Sequence, residues 1–171
     1  MSIHGHAVRR HSKKGVFDAL DEGDVNHEVH AHHALDRRGS RGEQGDGRGA
    51  YGLQAAIAES HAVAPSVAET DWDRIVLLYE ALGRLAPNPV VELNRAVAVS
   101  MATGPANALR IVDELVAAGS LRGTHLLPSV RGELLARLGR TDDARADLLE
   151  AARLAGNDRE AAVLRAKAEA L

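Results

Sequence analysis

The chain has 171 residues, of which 45% are apolar and 2% aromatic, and its net charge is −3 at pH 7. A core of Ala, Leu and Val suits closely packed helices, because Ala and Leu favour the helix and small side chains let backbones approach. The charge argues against a strongly basic nucleic-acid-binding surface. The absence of cysteine excludes disulfides and thiolate zinc sites. No apolar run approaches the ~18 residues that span a membrane and no secretory signal is present, so we expect a cytoplasmic protein.

The composition changes near residue 50. Residues 1–50 hold seven of the nine His and eight of the sixteen Gly, with few aliphatic side chains. The stretch DRRGSRGEQGDGRGA (36–50) cannot bury enough apolar surface to offset the entropy lost on ordering. We therefore expect a disordered His/Arg/Gly-rich tail over residues 1–46 and a helical-repeat domain over residues 47–171.

Apolar periodicity and capping residues predict the first three helices. The first covers YGLQAAIAESHAVA (51–64). Thr70 with Asp73 forms a potential capping pair for the second. Asn88 is expected to cap the third, with Pro89 at its first position, where the missing N–H costs nothing. The second helix has an apolar face made of Trp72, Ile75, Tyr79 and Leu82.

Four more helices are predicted between glycine, proline and hydroxyl residues. The residues that bound them are Gly104 and Pro105 for the fourth, Thr124 and Gly139 for the fifth, Thr141 for the sixth and Gly156-Asn157 for the seventh. Seven short helices with turns of a few residues predict an all-α array of antiparallel helix hairpins.

The turns at Gly104 and Gly139 lie 35 residues apart. This is close to the ~34-residue period of the tetratricopeptide repeat, in which a turn glycine precedes a small residue at the helix crossing. The aromatic residues of that repeat are missing, so the stacking of helix hairpins is better supported than the repeat name. Stacked hairpins would bury a continuous core that a single hairpin cannot.

The segment HEVHAHH (27–33) is the most conspicuous candidate metal site. Its four histidines, His27, His30, His32 and His33, could bind Zn²⁺ or Ni²⁺ through imidazole nitrogens. The spacing differs from HExxH, however, and a rigid site needs further groups that orient the rings. Adventitious binding by a flexible tract is the alternative that we favour, and no metal or cofactor is expected.

No pattern of catalytic residues rises above background. Ser60-His61 and Ser129 near His125 are possible nucleophile–base pairs, but adjacent helical residues point to different faces and no GxSxG elbow occurs. GDGRGAYG (45–52) lacks the preceding strand and the Lys-Ser/Thr of a phosphate loop. We therefore expect a protein that is not an enzyme.

Asn94 is an amide on the expected inward face of the third helix. It lies among Val90, Leu93, Val97 and Met101, which we expect to form the buried stripe. A buried amide without hydrogen bonds costs ~1–3 kcal/mol, so Asn94 is expected to bind a neighbouring carbonyl. Arg95 can pair with Glu92 on the exposed side. The alternative is that Asn94 and Arg95 bind a partner, and the same two alternatives apply to His125 and Arg131.

Four stretches, in order and spacing, resemble the C-terminal helical extension of one group of bacterial extracytoplasmic-function sigma factors of RNA polymerase. The resemblance covers residues 47–171 and identifies Trp72, Tyr79, Asn94, Arg95, His125 and Arg131 as residues of family motifs. The four stretches are YGLQAAIAESHA (51–62), TDWDRIVLLYEAL (70–82), PNPVVELNRAVAVSMATGPANAL (87–109) and HLLPSVRGELLARLGRTDDAR (125–145).

The resemblance implies a tetratricopeptide-like domain that supports transcription initiation through protein contacts, with the sigma-factor core regions or RNA polymerase as partners. The two helical regions that bind polymerase and promoter in the family do not fit into residues 1–46. We therefore expect a truncated product without specific DNA binding of its own. The composition of its N-terminus resembles GC-rich DNA read in a foreign frame. The alternative is a free-standing helical-repeat adaptor that binds an unrelated protein or peptide.

Overall fold

The computed structural model describes residues 46–63, 66 and 69–171 of the chain. Within these residues the protein is all-helical, with seven helices and no strand, which confirms the predicted fold class. The disordered tail predicted for residues 1–46 lies outside the described residues, except for Asp46. The helices are α1 (Asp46–Val63), α2 (Trp72–Leu85), α3 (Pro89–Ala102), α4 (Pro105–Ala117), α5 (Leu126–Arg137), α6 (Thr141–Leu154) and α7 (Asp158–Glu169).

The first helix begins earlier than the sequence suggests, at Asp46 rather than Tyr51. Residues 47–50 belong to the predicted helical domain, and Asp46 is the one described residue of the predicted tail that lies in this helix. Gly49 lies against the end of α2, where an added Cβ would stand 3.3 Å from the Cδ1 atom of Leu85. A glycine that weakens an isolated helix thus allows α1 to approach its neighbour closely.

Side-chain oxygens cap the N-termini of three helices, and this satisfies amides that have no partner within the helix. Asn88 and Asn157, at the predicted boundaries of α3 and α7, both act as caps. For α2 the cap is Asp71, and the predicted pair of Thr70 and Asp73 was wrong. The bonds run from the amides of Arg74 to Asp71 (3.0 Å), Val90 to Asn88 (2.8 Å) and Glu160 to Asn157 (2.9 Å).

None of the three threonines predicted at the start of a helix caps that helix through its side chain. The hydroxyl of Thr70 donates to the carbonyl of Ser66 at 3.1 Å, and that of Thr124 donates to Leu121 at 2.9 Å. Thr141 is already inside α6, and the residue before it makes no side-chain cap bond. In the first two cases the hydroxyl bonds a preceding carbonyl, which competes with capping of the following amides.

Glycine ends α3 and α5 where the sequence predicted. Gly104 has a φ of 102° and Gly139 a φ of 76°, and both values lie in the left-handed region that side chains with a Cβ rarely adopt. Pro105 follows Gly104 directly and begins α4. The chain therefore turns sharply after each of these helices, and the next helix packs back on the one before it.

The array is built by packing each helix against the next one in the chain, and α3 also contacts α5. Its core has three clusters. The central cluster joins α3, α4, α5 and the start of α6 through residues such as Leu93, Val112 and Leu135. A second cluster joins α1 to α3 around Ile75 and Tyr79, and a third joins α6 to α7 around Leu148.

The buried residues of α3 differ from the predicted stripe. Of the apolar residues expected there, only Leu93 is buried, whereas Val90, Val97 and Met101 are half-buried. The reason is that α3 packs between two neighbours. One face belongs to the cluster shared with α1 and α2, and another to the central cluster. The fully buried set is Val91, Leu93, Asn94, Ala96, Ala98, Val99 and Ser100.

Candidate interaction surfaces

Trp72 and Tyr79 lie on the face of α2 that packs in the cluster shared with α1 and α3. The ring of half-buried Trp72 meets that of His61 edge-on, with centroids 5.5 Å apart and planes at 68°. Tyr79 is 9% exposed, and burial raises the pKa of its phenol to about 12, because the phenolate would lose its hydration. Both aromatic residues therefore hold α2 in place.

Arg95 is held between two carboxylates on α2 and α3. Its Nε donates to both carboxylate oxygens of Glu92 at 3.1 Å, which confirms the predicted pair. Its Nη1 lies 3.7 Å from Oε1 of Glu80, so the ion pairs also join α3 to α2. The hydrogen bond to Glu92 is the main cause that raises the pKa of Arg95 above its usual value.

An open groove of about 720 Å³ runs beside this ion pair, between the C-terminal half of α2, the start of α3 and Leu115 of α4. Glu80, Glu92 and Arg95 contribute to its wall, together with Arg84 and the turn between the two helices. Because Arg95 already binds two carboxylates, its charge is largely neutralised before any partner arrives. The groove offers a shallow, mainly apolar surface with charged groups of both signs in its wall.

The amide of Asn94 has a different environment from the one predicted. Asn94 is 7% exposed and thus buried as expected, but within the described part of the chain no hydrogen bond reaches its side chain. The expectation that it binds a neighbouring carbonyl is therefore not met. No fully enclosed polar side-chain atom among the described residues lacks a partner. It follows that the polar end of Asn94 still touches solvent while the rest of the residue is covered.

Arg131 joins three successive helices. From α5, its Nε donates to Oδ1 of Asp113 in α4 at 2.8 Å, and its Nη1 donates to Oδ2 of Asp147 in α6 at 2.7 Å. Desolvation acts to lower the pKa of Arg131, but these two hydrogen bonds outweigh it and the pKa is raised. The contacts favour the structural alternative for this residue.

For Asp147, in contrast, burial affects the pKa more strongly than the ion pair does. Burial raises the pKa of its carboxyl, and the hydrogen bond from Arg131 offsets this only in part. The asymmetry arises because Arg131 binds two carboxylates, whereas Asp147 binds one guanidinium and is repelled by Asp143 and Asp113. Folding therefore disfavours the charged form of Asp147, whereas it favours the charged form of Arg131.

His125 directly precedes α5 and contacts α7. Its Nε2 lies 2.8 Å from Oε1 of Glu160, in the first turn of α7. A second contact between the same two helices joins Glu133 and Lys167. His125 therefore belongs to a pair of polar contacts that hold α5 and α7 together. Its ring makes no side-chain cap bond to α5.

The six candidate residues thus lie in or beside three helices and do not form a single pocket within the described residues. Trp72 and Tyr79 lie in the core that α2 shares with its neighbours, and Asn94 and Arg95 lie on different sides of α3. His125 and Arg131 hold α5 to the helices around it. Five of the six have contacts that account for their presence, and Asn94 has no hydrogen bond that does.

Two further residues of structural importance were missed in the sequence. An added Cβ on Gly132 would stand 2.8 Å from Cγ of Leu148 and 3.2 Å from the carbonyl of Ala144, so α5 and α6 cross closely there. Gly132 precedes the turn at Gly139 in the way that the tetratricopeptide pattern places its helical glycine, and this spacing could have identified it. The contact of Arg137 with the hydroxyl of Ser100 joins α5 to α3 and left no sequence signal.

Neither a metal site nor a membrane span is found in the part of the chain that the structure describes. No three His, Asp or Glu side chains are grouped there so that they could hold an ion. No helix there is long and apolar enough to cross a bilayer. The histidines of residues 27–33 lie outside the described residues.

Comparison with known proteins finds similarity to a longer protein. The chain is 50% identical over 117 residues to an uncharacterized protein of Rhizobium meliloti (strain 1021). The matched region is 68% of this chain but 27% of the relative, so the chain spans about a quarter of the length of the curated relative it matches. No model of a known protein family matches the chain.

Proposed function

We propose that this chain is the C-terminal helical domain of an RNA polymerase sigma factor of the extracytoplasmic-function type, acting in the cytoplasm. Its role would be to support transcription initiation through protein contacts with the sigma-factor core regions or with polymerase. The basis of the proposal is the resemblance of four ordered stretches, which together carry all six candidate residues.

The observation that most strongly supports this role is the length of the Rhizobium relative. Since 117 residues are 27% of that protein, it has roughly 430 residues, and about 310 lie outside the match. That length is enough for two or three further domains of ordinary size. A similar helical array therefore forms one part of a larger polypeptide there, as an extension of a sigma factor would.

The contacts of the candidate residues agree with a platform for protein binding. Arg131, His125 and Tyr79 hold the helices in register, which is what a rigid binding surface requires. The described residues contain no grouping of side chains that we can assign to catalysis. In this proposal the array works by presenting surfaces, and the chemistry of transcription belongs to the polymerase.

The proposal can be tested with the part of the Rhizobium relative that lies outside the match, purified as a separate fragment. This fragment should bind core RNA polymerase in a pull-down, and it should bind the present chain in isothermal titration calorimetry. Adding the chain should raise the yield of run-off transcripts from promoters that the fragment selects. An unrelated helical-repeat protein of similar size is the control.

Failure of both the fragment and the whole relative to bind polymerase would contradict the proposal. Binding of the chain to other proteins, with no affinity for the fragment, would support the adaptor alternative. Reading the genomic DNA upstream of the gene in all frames gives an independent check, because sigma-factor regions in another frame would show that this domain once continued them.

A further inference from the structure

The side chain of Asn94 is the starting point, because it is more than nine-tenths buried and has no hydrogen bond within the described residues. Other polar side chains buried in the array are satisfied. The Ser129 hydroxyl donates to the carbonyl of His125 at 2.7 Å, and the Ser100 hydroxyl accepts from Arg137. Asn94 differs from these residues, because its amide bonds no other described residue and its polar end touches solvent, where another molecule can reach it.

The neighbours of Asn94 on α3 form a half-buried apolar surface. Val90 precedes it by four residues, Val97 follows by three and Met101 by seven, so all four side chains lie along one face of the helix. We call these four residues the Asn94 stripe. The three apolar members are half-buried, so each leaves part of its surface to solvent. The stripe is thus apolar surface with one amide in its middle.

The chemistry of the stripe selects a neutral ligand. None of its members is charged, and the nearest charge in the sequence, Arg95, is taken up by Glu92 and Glu80. A primary amide offers an N–H donor and a C=O acceptor side by side. A main-chain peptide group carries the same two functions and pairs with it. Apolar side chains on either side of that peptide group would cover the Val and Met side chains.

We propose that Asn94 binds a main-chain peptide group of an extended, uncharged apolar segment from the remainder of the sigma factor. This inference rests on the function proposed above. The length of the Rhizobium relative outside the match shows that a similar array occurs in one polypeptide with roughly 310 further residues, which can supply the segment. Arg95 thus binds carboxylates within the array, and its neighbour Asn94 binds the partner segment.

The test uses the whole present chain and, as the probe, the fragment of the Rhizobium relative outside the match. Asn94→Ala removes both hydrogen-bonding functions and should weaken binding about tenfold or more, since two hydrogen bonds of ordinary strength are lost. Its melting temperature should stay close to that of the wild type, because no bond within the array is broken. Ser129→Ala, which removes a satisfied hydroxyl on α5, is the matched control and should bind normally.

A second measurement needs no substitution. The side-chain NH₂ resonances of Asn94 in the wild type should shift and become protected from solvent exchange when the fragment is added. If the wild type binds and Asn94→Ala binds equally well, with unshifted Asn94 resonances, the inference is wrong while the proposed function stands. If the wild type does not bind the fragment at all, the proposed function itself fails and the inference fails with it.

Discussion

The backbone of Gly132 in α5 lies against the side chain of Leu148 in α6, so that a Cβ built on Gly132 would stand 2.8 Å from Cγ of Leu148. Leu148 is 1% exposed and the carbonyl of Ala144 closes the same space at 3.2 Å. The crossing of α5 and α6 therefore depends on the absence of a side chain at this position. Neither neighbour can move without disturbing the core.

Gly132→Ala should destabilise the protein by ~1–3 kcal/mol, because the added methyl group overpacks the crossing. Denaturant unfolding gives the measurement. Gly52→Ala and Gly83→Ala are the matched controls, since a Cβ at either helical glycine meets nothing within 4 Å. Both controls should stabilise the protein by up to ~1 kcal/mol, the ordinary gain of alanine over glycine in a helix. Equal effects at all three positions would show that the close crossing is absent.

The cap of α2 gives a second prediction. Asp71→Ala should cost ~1 kcal/mol of unfolding free energy, because the amide of Arg74 loses its bond to the Asp71 carboxylate. Thr70→Ala should cost less, since its hydroxyl donates to Ser66 and caps no helix amide. Thermal melts of the two variants separate these roles. If Thr70→Ala lost more stability than Asp71→Ala, Thr70 would be the cap of α2, as the sequence predicted.

Arg131 should couple energetically to both of its partners. A double-mutant cycle with Arg131→Met, Asp113→Asn and Asp147→Asn should give coupling energies of up to ~1 kcal/mol per pair, the upper part of the range for accessible ion pairs. Arg140→Met with Asp143→Asn is the control, because that exposed pair lies within one turn. Its coupling should be close to zero. If the coupling energies of Arg131 were as small as that of Arg140, the ion pairs of Arg131 would not stabilise the packing of these helices.

The raised pKa of Asp147 predicts a pH dependence. Folded Asp147 keeps its proton at a pH where the unfolded chain, with an ordinary value of 3.8, has released it. The stability from this group is thus present below the unfolded pKa and is lost as the pH rises through the folded pKa. Asp147→Asn lacks this loss. Its melting temperature relative to the wild type should therefore rise with pH across the interval above 3.8.

Glu150 provides a control of opposite sign. The hydrogen bond from Arg153 lowers the pKa of Glu150 below its ordinary 4.5, so stability from this group is lost as the pH falls through the folded pKa. The melting temperature of Glu150→Gln relative to the wild type should fall as the pH rises toward 4.5. Melts in a pH series would contradict the assignment of Asp147 if both variants followed the same trend.

The turns and the helical class were accessible from the sequence because their causes are local. Gly104 and Gly139 end helices through their own backbone conformation, and Asn88 caps α3 through an amide two residues away. The capping roles of Thr70 and Thr124 were wrongly predicted for a reason that is also local. A hydroxyl can bond a carbonyl before it as well as an amide after it, and the composition of the segment does not decide between them.

The buried faces and the polar contacts between helices were not accessible in this way. Arg131 binds carboxylates 18 and 16 residues away, and its partners are fixed only when α4, α5 and α6 pack. The stripe on α3 was misassigned because one helix buried on two sides has no single apolar face. Burial of Asn94 was predictable, but its lack of a partner depends on every side chain around it.

Packing between sequence neighbours also determines how the array comes apart. Helices α1 and α7 belong to different core clusters, and only the central cluster lies between them. The free energy of unfolding is therefore approximately a sum of contributions from neighbouring helices. Opening should start at either end and reach the centre last, so amide hydrogens of α4 should exchange more slowly than those of α1 or α7. The fold needs few encounters between distant residues, and such topologies reach the native state quickly.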